Sequence, residues 1–495
     1  MHERARHPRL LSLLRTPHYR VWRMSVGRQS SRAPSGEAIV AGAVAVVVGV
    51  AVLQAPAVVA IAVPTVAAAL CLGILVRALS EPGDPASAAL VGRLTLLSFV
   101  AHLAVGLLIV QSDAAIEALG GDANTYHFGA RVIVDHWNGR ATADLTFLQP
   151  GKEGFFYGLA ALYWLLGPYV AAGLAVNAAL AAGVVSLVHD TTRRLFGRDA
   201  ARIAVLLYLV LPGFLIWTSQ LLREAVVVFL LAAAANATVR LHQRATPAAV
   251  GGLVVALALL FTVRANVALL AAGGLAVGLA LGRRRVAAGA VTACVVALLV
   301  LLLVPVAGFG ERGFQATTDA DLEQVDLARR QLATTAESGI APEADVSTPG
   351  AAVRFLPLGV VAFGFGPFPW TASNLRQLAG VVEAMTLWAV VPLLVRGWRR
   401  SRVVIGRGRL VLGIPAAVLA VALSLFVGNY GTVVRERLQV TILLLPFAAY
   451  GWVARPRRVG AAASVAAAPA PLAAVLPDAG RDMAGGARQR GRRLR

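Results

Sequence analysis

The sequence predicts an all-α polytopic membrane protein of about twelve transmembrane helices (roughly 11–13), whose first outer loop bears short juxtamembrane helices. Three observations carry this reading. Apolar residues make up 58% of the 495 positions and charged residues only 14%, whereas a soluble domain carries about a quarter charged residues. Apolar runs near the bilayer-spanning length of about 20 residues recur along the chain. The formal charge is +21, yet the arginines fall between the apolar runs. That placement orients a protein in a bilayer, so it accounts for the charge without nucleic acid as a partner.

Residues 1–36 carry arginines at positions 4, 6, 9, 15, 20, 23, 28 and 32. A basic segment of this kind reads as cytoplasmic and not as a cleavable signal. Apolar runs at about 38–54, 57–79 and 94–111 follow, and three crossings put the polar stretch 112–152 outside. EGFFYGLAALYWLLG (153–167) is short for a span and reads as a helix lying on, or dipping into, the outer face. The next crossing, 170–188, then delivers the basic HDTTRRLFGR to the inner side.

Further crossings at about 201–218, 222–240, 247–263, 266–282, 286–307, 378–395, 408–427 and 438–454 complete the set. Arg193, Arg194, Arg198, Arg240, Arg244, Arg283 to Arg285, Arg396, Arg399, Arg400, Arg402, Arg407 and Arg409 then share one side. The organisation is a basic cytoplasmic segment (1–36), a transmembrane domain (37–454) with outer loops at 112–169 and 308–377, and a disordered basic cytoplasmic tail (455–495). Both termini are expected in the cytoplasm of a bacterial cell with a GC-rich genome, the protein lying in its plasma membrane. No internal repeat supports an inverted-repeat transporter. Cys71 and Cys294 lie in apolar runs and read as small hydrophobes.

Removing the arginines that topology explains leaves Arg223, Arg264, Arg354, Arg376, Arg435 and Arg437 on the outer side. Asp122, Glu224 and the single lysine, Lys152, join them. Charges at the ends of membrane segments, on the side where positive charge is disfavoured, need partners or a task. Several cations with one isolated carboxylate at the mouth suit an anionic substrate. A lipid-linked phosphate or pyrophosphate entering from the bilayer is the obvious case.

Asp122, in SDAAIEALGGDANTYHFGARVIVDHW, reads in two ways. It is a good helix N-cap, and it is also placed to act as a general base on an acceptor hydroxyl. Tyr126, four residues on, shares its helix face. His127 and His136 read as interfacial polar residues, and no His/Cys/Glu spacing marks a metal site. WTSQLLREAVVVFL sets Arg223 beside Glu224, either as a self-neutralising pair or as a phosphate ligand oriented by its neighbour. Arg264 starts a helix and either snorkels or binds phosphate.

In the second outer loop, 311–349 reads as an acidic, solvated surface segment, partly helical over 319–333. VRFLPLGVVAFGFGPFPW (353–370) reads as re-entrant or surface-lying, flanked by Arg354 and Arg376 as lipid head-group ligands. GNYGTVVRERLQVTILLLPF (428–447) places Arg435 and Arg437 at the last crossing, suited to stabilising a departing phosphate.

GDANTYH, FGRDAARIAVLLYLVLPGFLIWTSQLLREA, RFLPLGVVAFGFGPFPW and GNYGTVVRER, in this order and on one side, resemble bacterial GT-C membrane glycosyltransferase-like proteins. That broad group contains the dolichyl-phosphate mannosyltransferase and lipid A aminoarabinose transferase relatives, and the similarity spans roughly residues 93–454. The resemblance implies sugar transfer from a polyprenyl-phosphate donor to an envelope glycan, lipid or protein on the outer face. It also implies a base at Asp122. The family often has two adjacent acids there, whereas this chain has Gly-Asp-Ala, and Asp135 and Asp144 stand too far along to replace the second. With one acid the expectation is no cofactor and no divalent metal. A polysaccharide polymerase, leaning on the arginines more than on Asp122, is the nearest alternative. A lipid-linked glycan transporter or flippase would instead need charged or broken helices near the midplane. A non-catalytic assembly partner is the fourth reading.

Overall fold

The computed structural model describes residues 56–81, 83–112, 121–140, 142, 148, 151–282, 321–372 and 375–454. Among them the fold is all-α, without a strand. In chain order the helices are α1 (Pro56–Leu79), α2 (Pro85–Val110), α3 (Gly121–Trp137), α4 (Glu153–Leu166) and α5 (Val170–Phe196). They continue with α6 (Arg198–Val210), α7 (Pro212–Thr218), α8 (Glu224–Gln243), α9 (Pro247–Val263) and α10 (Ala265–Gly282). The last five are α11 (Leu322–Thr335), α12 (Pro349–Phe365), α13 (Leu375–Val404), α14 (Leu410–Leu425) and α15 (Tyr430–Val453).

Seven of these helices are long and apolar enough to cross a membrane, or eight if α6 and α7 form one bent span. The expected crossings 38–54 and 286–307 lie outside the described residues, as do the segments 1–36 and 455–495. Helices α5 and α8 form the middle of the bundle, with most of their apolar stretch buried. On the periphery, α1 and α2 keep Ile74, Leu96, Leu97 and Leu108 exposed, the apolar surface that hydrocarbon covers.

Three expectations change in detail. The single crossing at 201–218 is broken: α6 and α7 meet at 58°. Pro212 is the cause, since it opens α7 without an amide N–H and holds Leu211 in extended backbone (φ −69, ψ 112). The basic stretch 189–196 is the end of α5 and not a loop. There the fully buried Asp190 accepts hydrogen bonds from Arg193 (2.6 Å), Arg194 (2.8 Å), Asn236 (3.0 Å) and Arg240 (2.8 Å). Gly197, at φ +87, then turns the chain into α6, a conformation that disfavours side chains with a Cβ. Finally, α15 starts at Tyr430, eight residues before 438, so Arg435, Glu436 and Arg437 sit on a helix rather than ahead of one.

Small residues set how closely helices cross. A Cβ on Gly397 of α13 would lie 1.8 Å from the Phe447 carbonyl oxygen of α15, and one on Gly451 would lie 1.9 Å from that of Leu393. Backbone contact of this kind replaces the hydrophobic drive that lipid removes. Gly397→Val is therefore expected to force α13 from α15 and destabilise the protein by about 3 kcal/mol or more. A marked fall in melting temperature in detergent, against little change for the open Gly251→Ala, would show it.

Candidate functional site

At the end of α8 opposite the Asp190 network, segments distant in sequence enclose a cavity of about 890 Å³. Its walls begin with α3, which lies along α4. Tyr126 packs on Phe155 and Phe156 with ring centroids 4.8 and 5.0 Å apart, and His127 Nδ1 lies 2.9 Å from the Tyr163 hydroxyl. This docking brings Asp122, in the first turn of α3, and Lys152, the residue before α4, to the same rim.

The chain from the end of α7 to the first residue of α8 supplies Arg223 and Glu224. Asn177 of α5 holds it in place, its amide donating to the carbonyls of Gln220 (2.6 Å) and Leu222 (2.8 Å). Arg264 is the buried hinge residue between α9 and α10 and is ion-paired with Glu436. Arg435 reaches across the cavity to Asp122, its guanidinium donating to Oδ2. The same guanidinium lies 5.9 Å above the Trp217 ring, and its Nε donates to the Gly431 carbonyl at 3.1 Å.

The segment read as solvated surface is part of the site. Helix α11 and the turn after it form one wall, through Gln331, Leu332, Thr335, Glu337 and Ser338. Two contacts fasten this wall to the start of α15: Ile340 N–H donates to Gly428 O (2.7 Å), and Tyr430 N–H donates to Ser338 O (3.2 Å). Below, the fully buried Arg329 donates to the carbonyls of Ala341 (2.9 Å) and Ala344 and lies over Phe355. Acidity disguised the role of this segment. Its apolar anchors, Val346, Ala352 and Phe355, are too few to be read as a core from sequence.

Seven of the singled-out residues line this one cavity: Asp122, Tyr126, Lys152, Arg223, Glu224, Arg264 and Arg435. The Arg376 side chain lies outside the described residues, and Arg354 is exposed on α12. Arg437 is not among the lining residues. It is buried, donating to Glu383 Oε1 (3.0 Å) and Gly366 O (2.6 Å). Sequence reading passed over Glu383, Trp217 and Glu436. A glutamate inside the apolar run 378–395 was the available signal, because such a charge needs a buried partner.

The charge pattern also differs from a cationic funnel with one isolated acid. Lys152, Arg223, Arg264 and Arg435 face four acids in the lining, Asp122, Glu224, Glu337 and Glu436. Buried guanidinium groups require such counter-charges. Among the described residues, Arg264 Nη1 and Glu224 Oε2 are buried without a hydrogen-bond partner. No group of three His, Cys, Asp or Glu side chains converges to hold a metal ion among the described residues.

Burial works against ionising Asp122, but Arg435, with Lys152 and Arg223 behind it, outweighs that and holds the carboxyl below its ordinary value. Burial, reinforced by Arg223 and Arg264, brings the Lys152 ammonium down to about 7, against a smaller opposing pull from Asp122 and Glu224. No protein-family model and no curated protein matches the chain.

An anion entering beside Lys152 favours its charged form, so binding takes up a proton where the free lysine is neutral. Affinity is highest below pH 7 and falls as pH rises through about 7, by at most about tenfold per unit. Titration with a short-chain prenyl sulfate, whose own charge is constant across this range, is expected to show that decline. Lys152→Arg is expected to flatten it.

Proposed function

We propose that the protein is a membrane glycosyltransferase that uses this cavity to move a sugar from a polyprenyl-phosphate donor to an acceptor hydroxyl of an envelope glycan, lipid or protein. The observation that carries the reading is the Asp122–Arg435 ion pair, set in a cavity at one end of an apolar helix bundle. Arg223, Lys152 and Arg264 add cationic groups to the lining of that cavity. A phosphate, a hydroxyl and a proton acceptor are the three groups such a transfer needs within reach of one another.

In this reaction the acceptor oxygen attacks the anomeric carbon, and the bond from that carbon to the phosphate oxygen breaks. The electron pair leaves with the polyprenyl phosphate. Asp122 takes the hydroxyl proton as the new C–O bond forms. The guanidinium groups of Arg435 and Arg223 stabilise the charge that builds on the departing phosphate. Arg435 has two suitors, and this gives the pair a further role. While it holds Asp122, the carboxylate is a weak base; a phosphate that draws Arg435 away returns basicity to Asp122. Donor binding thereby prepares the base.

Arginine-rich ends of the helices opposite the cavity favour a cytoplasmic placement there. The cavity then faces the outer side of a bacterial plasma membrane, with both termini inside. The donor reaches the cavity from the surrounding lipid.

The two halves of the pair predict opposite effects of one substitution. Asp122→Asn removes the negative charge beside Arg435, so binding of the donor phosphate tightens by about fivefold. The same change removes the base and lowers transfer by about a hundredfold or more. Both are read with radiolabelled polyprenyl-phosphate sugar in membranes containing equal amounts of protein. Transfer that survives Asp122→Asn would reduce the residue to a counter-ion. If Arg435→Ala and Arg223→Ala alone abolished incorporation, a polymerase acting on lipid pyrophosphate would be the better reading.

A further inference from the structure

Beneath the cavity lies a buried carboxylate that the reaction above does not use. Glu383 sits in α13 and is 3% exposed. Its Oε1 accepts from Arg437 Nη2 at 3.0 Å, and its Oε2 accepts from the Trp217 indole N–H at 3.3 Å. The short helix α7 grips this carboxyl from one face. Gly213, one turn before Trp217, approaches so closely that a Cβ there would lie 2.5 Å from Glu383 Cδ. The break at Pro212 aims that face, because an unbroken α6–α7 rod would carry Gly213 and Trp217 elsewhere.

The other side of the same indole faces the cavity, carrying the Arg435 guanidinium 5.9 Å from its centroid. Arg435 in turn holds Asp122. A buried acid, an indole, a guanidinium and the cavity acid thus stand in series. They come from α13, α7, α15 and α3.

We infer that Glu383 is a positioning residue for the Asp122–Arg435 pair, acting through the Trp217 ring. The indole N–H is anchored to the carboxylate, so the ring plane is set, and a cation above an aromatic face follows that plane. Arg437 makes the anchor tolerable. Its Nη2 donates to Glu383 and neutralises it, and its Nη1 donates to the Gly366 and Phe363 carbonyls (2.6 and 3.4 Å), where α12 ends. Three helices and the α12 turn therefore meet at one carboxylate. The inference rests on the reading of Arg435 as the phosphate ligand that Asp122 competes for.

Binding of a water-soluble prenyl phosphate, geranyl phosphate, to the full chain in nanodiscs provides the test. Residues in physical series couple, whereas independent ones add. In the native background Asp122→Asn is expected to tighten binding by about fivefold. In the Glu383→Gln background the gain is expected to fall below about twofold, because the arginine is no longer held where Asp122 meets it. Trp217→Phe keeps a ring but loses the N–H anchor, and it is expected to shrink the gain in the same way. It decides the matter alone if Glu383→Gln does not fold. A fivefold gain preserved in both folded backgrounds would overturn the inference and leave Glu383 as the counter-ion of Arg437. If neither Asp122→Asn nor Arg435→Ala alters geranyl phosphate binding in the native background, the cavity is not a phosphate site. The inference then falls together with the proposed transfer.

Discussion

Arg264 and Arg437 are buried among apolar helices, and Arg435 is partly so. Removing a guanidinium from water costs several kcal/mol unless a counter-charge and further acceptors meet it. That constraint organises the cavity end of the molecule. Arg264 takes Glu436, Arg435 takes Asp122 and Arg437 takes Glu383, each partner coming from a different helix. The pairs therefore bind the α9–α10 hinge to α15, α15 to α3 and α15 to α13. Helix α15 contributes to all three, which explains why its first two turns carry Arg-Glu-Arg without interruption. The far end obeys the same rule with the signs reversed, one fully buried aspartate collecting three arginines and an asparagine.

The three pairs are not equivalent. Arg437 is the least exposed of the three, its Nη1 and Nη2 directed to two carbonyls and one carboxylate and its Nε buried without a partner. Arg264 has one carboxylate, and its Nη1 is buried without a hydrogen-bond partner. Arg435 is the most accessible and meets an acid that is itself exposed to the cavity. Side-chain exposure rises from Arg437 beside the α12 turn, through Arg264, to Arg435 at the rim. An anion that entered the cavity would meet the exposed end of this series, where exchanging one carboxylate for another anion costs least.

Local irregularities place the groups that the pairs connect. Pro212 breaks a span and turns Trp217 toward Glu383, while Asn177 pins the chain at 220–222 as it leads into α8. The wall formed by α11 is held by Arg329 from below and by backbone bonds to residues 428–430 at its side. Asn177, Arg329 and the bonds at 428–430 all use backbone carbonyls, the groups that an apolar surrounding leaves without other partners.

The membrane class, most helix positions and the outlying charges were legible in the sequence because they rest on composition and on charge against topology. Seven candidate residues found that way line one cavity, since a charge placed against the topology needs a partner and partners converge. Other features had no local signal. The bend at 211–212 was hidden because a proline near the middle of an apolar run is compatible with either a kink or a straight span. Helix α11 looked like solvated surface because its anchors are few, and Arg437 looked equivalent to Arg435 because both stand on the same side of the same motif. Two residues along a helix changes which neighbour a side chain meets by about 200°. Sequence alone could thus say that these arginines need partners. Only the packing of α3, α12 and α13 around α15 decided that Arg435 meets a cavity acid and Arg437 a buried one.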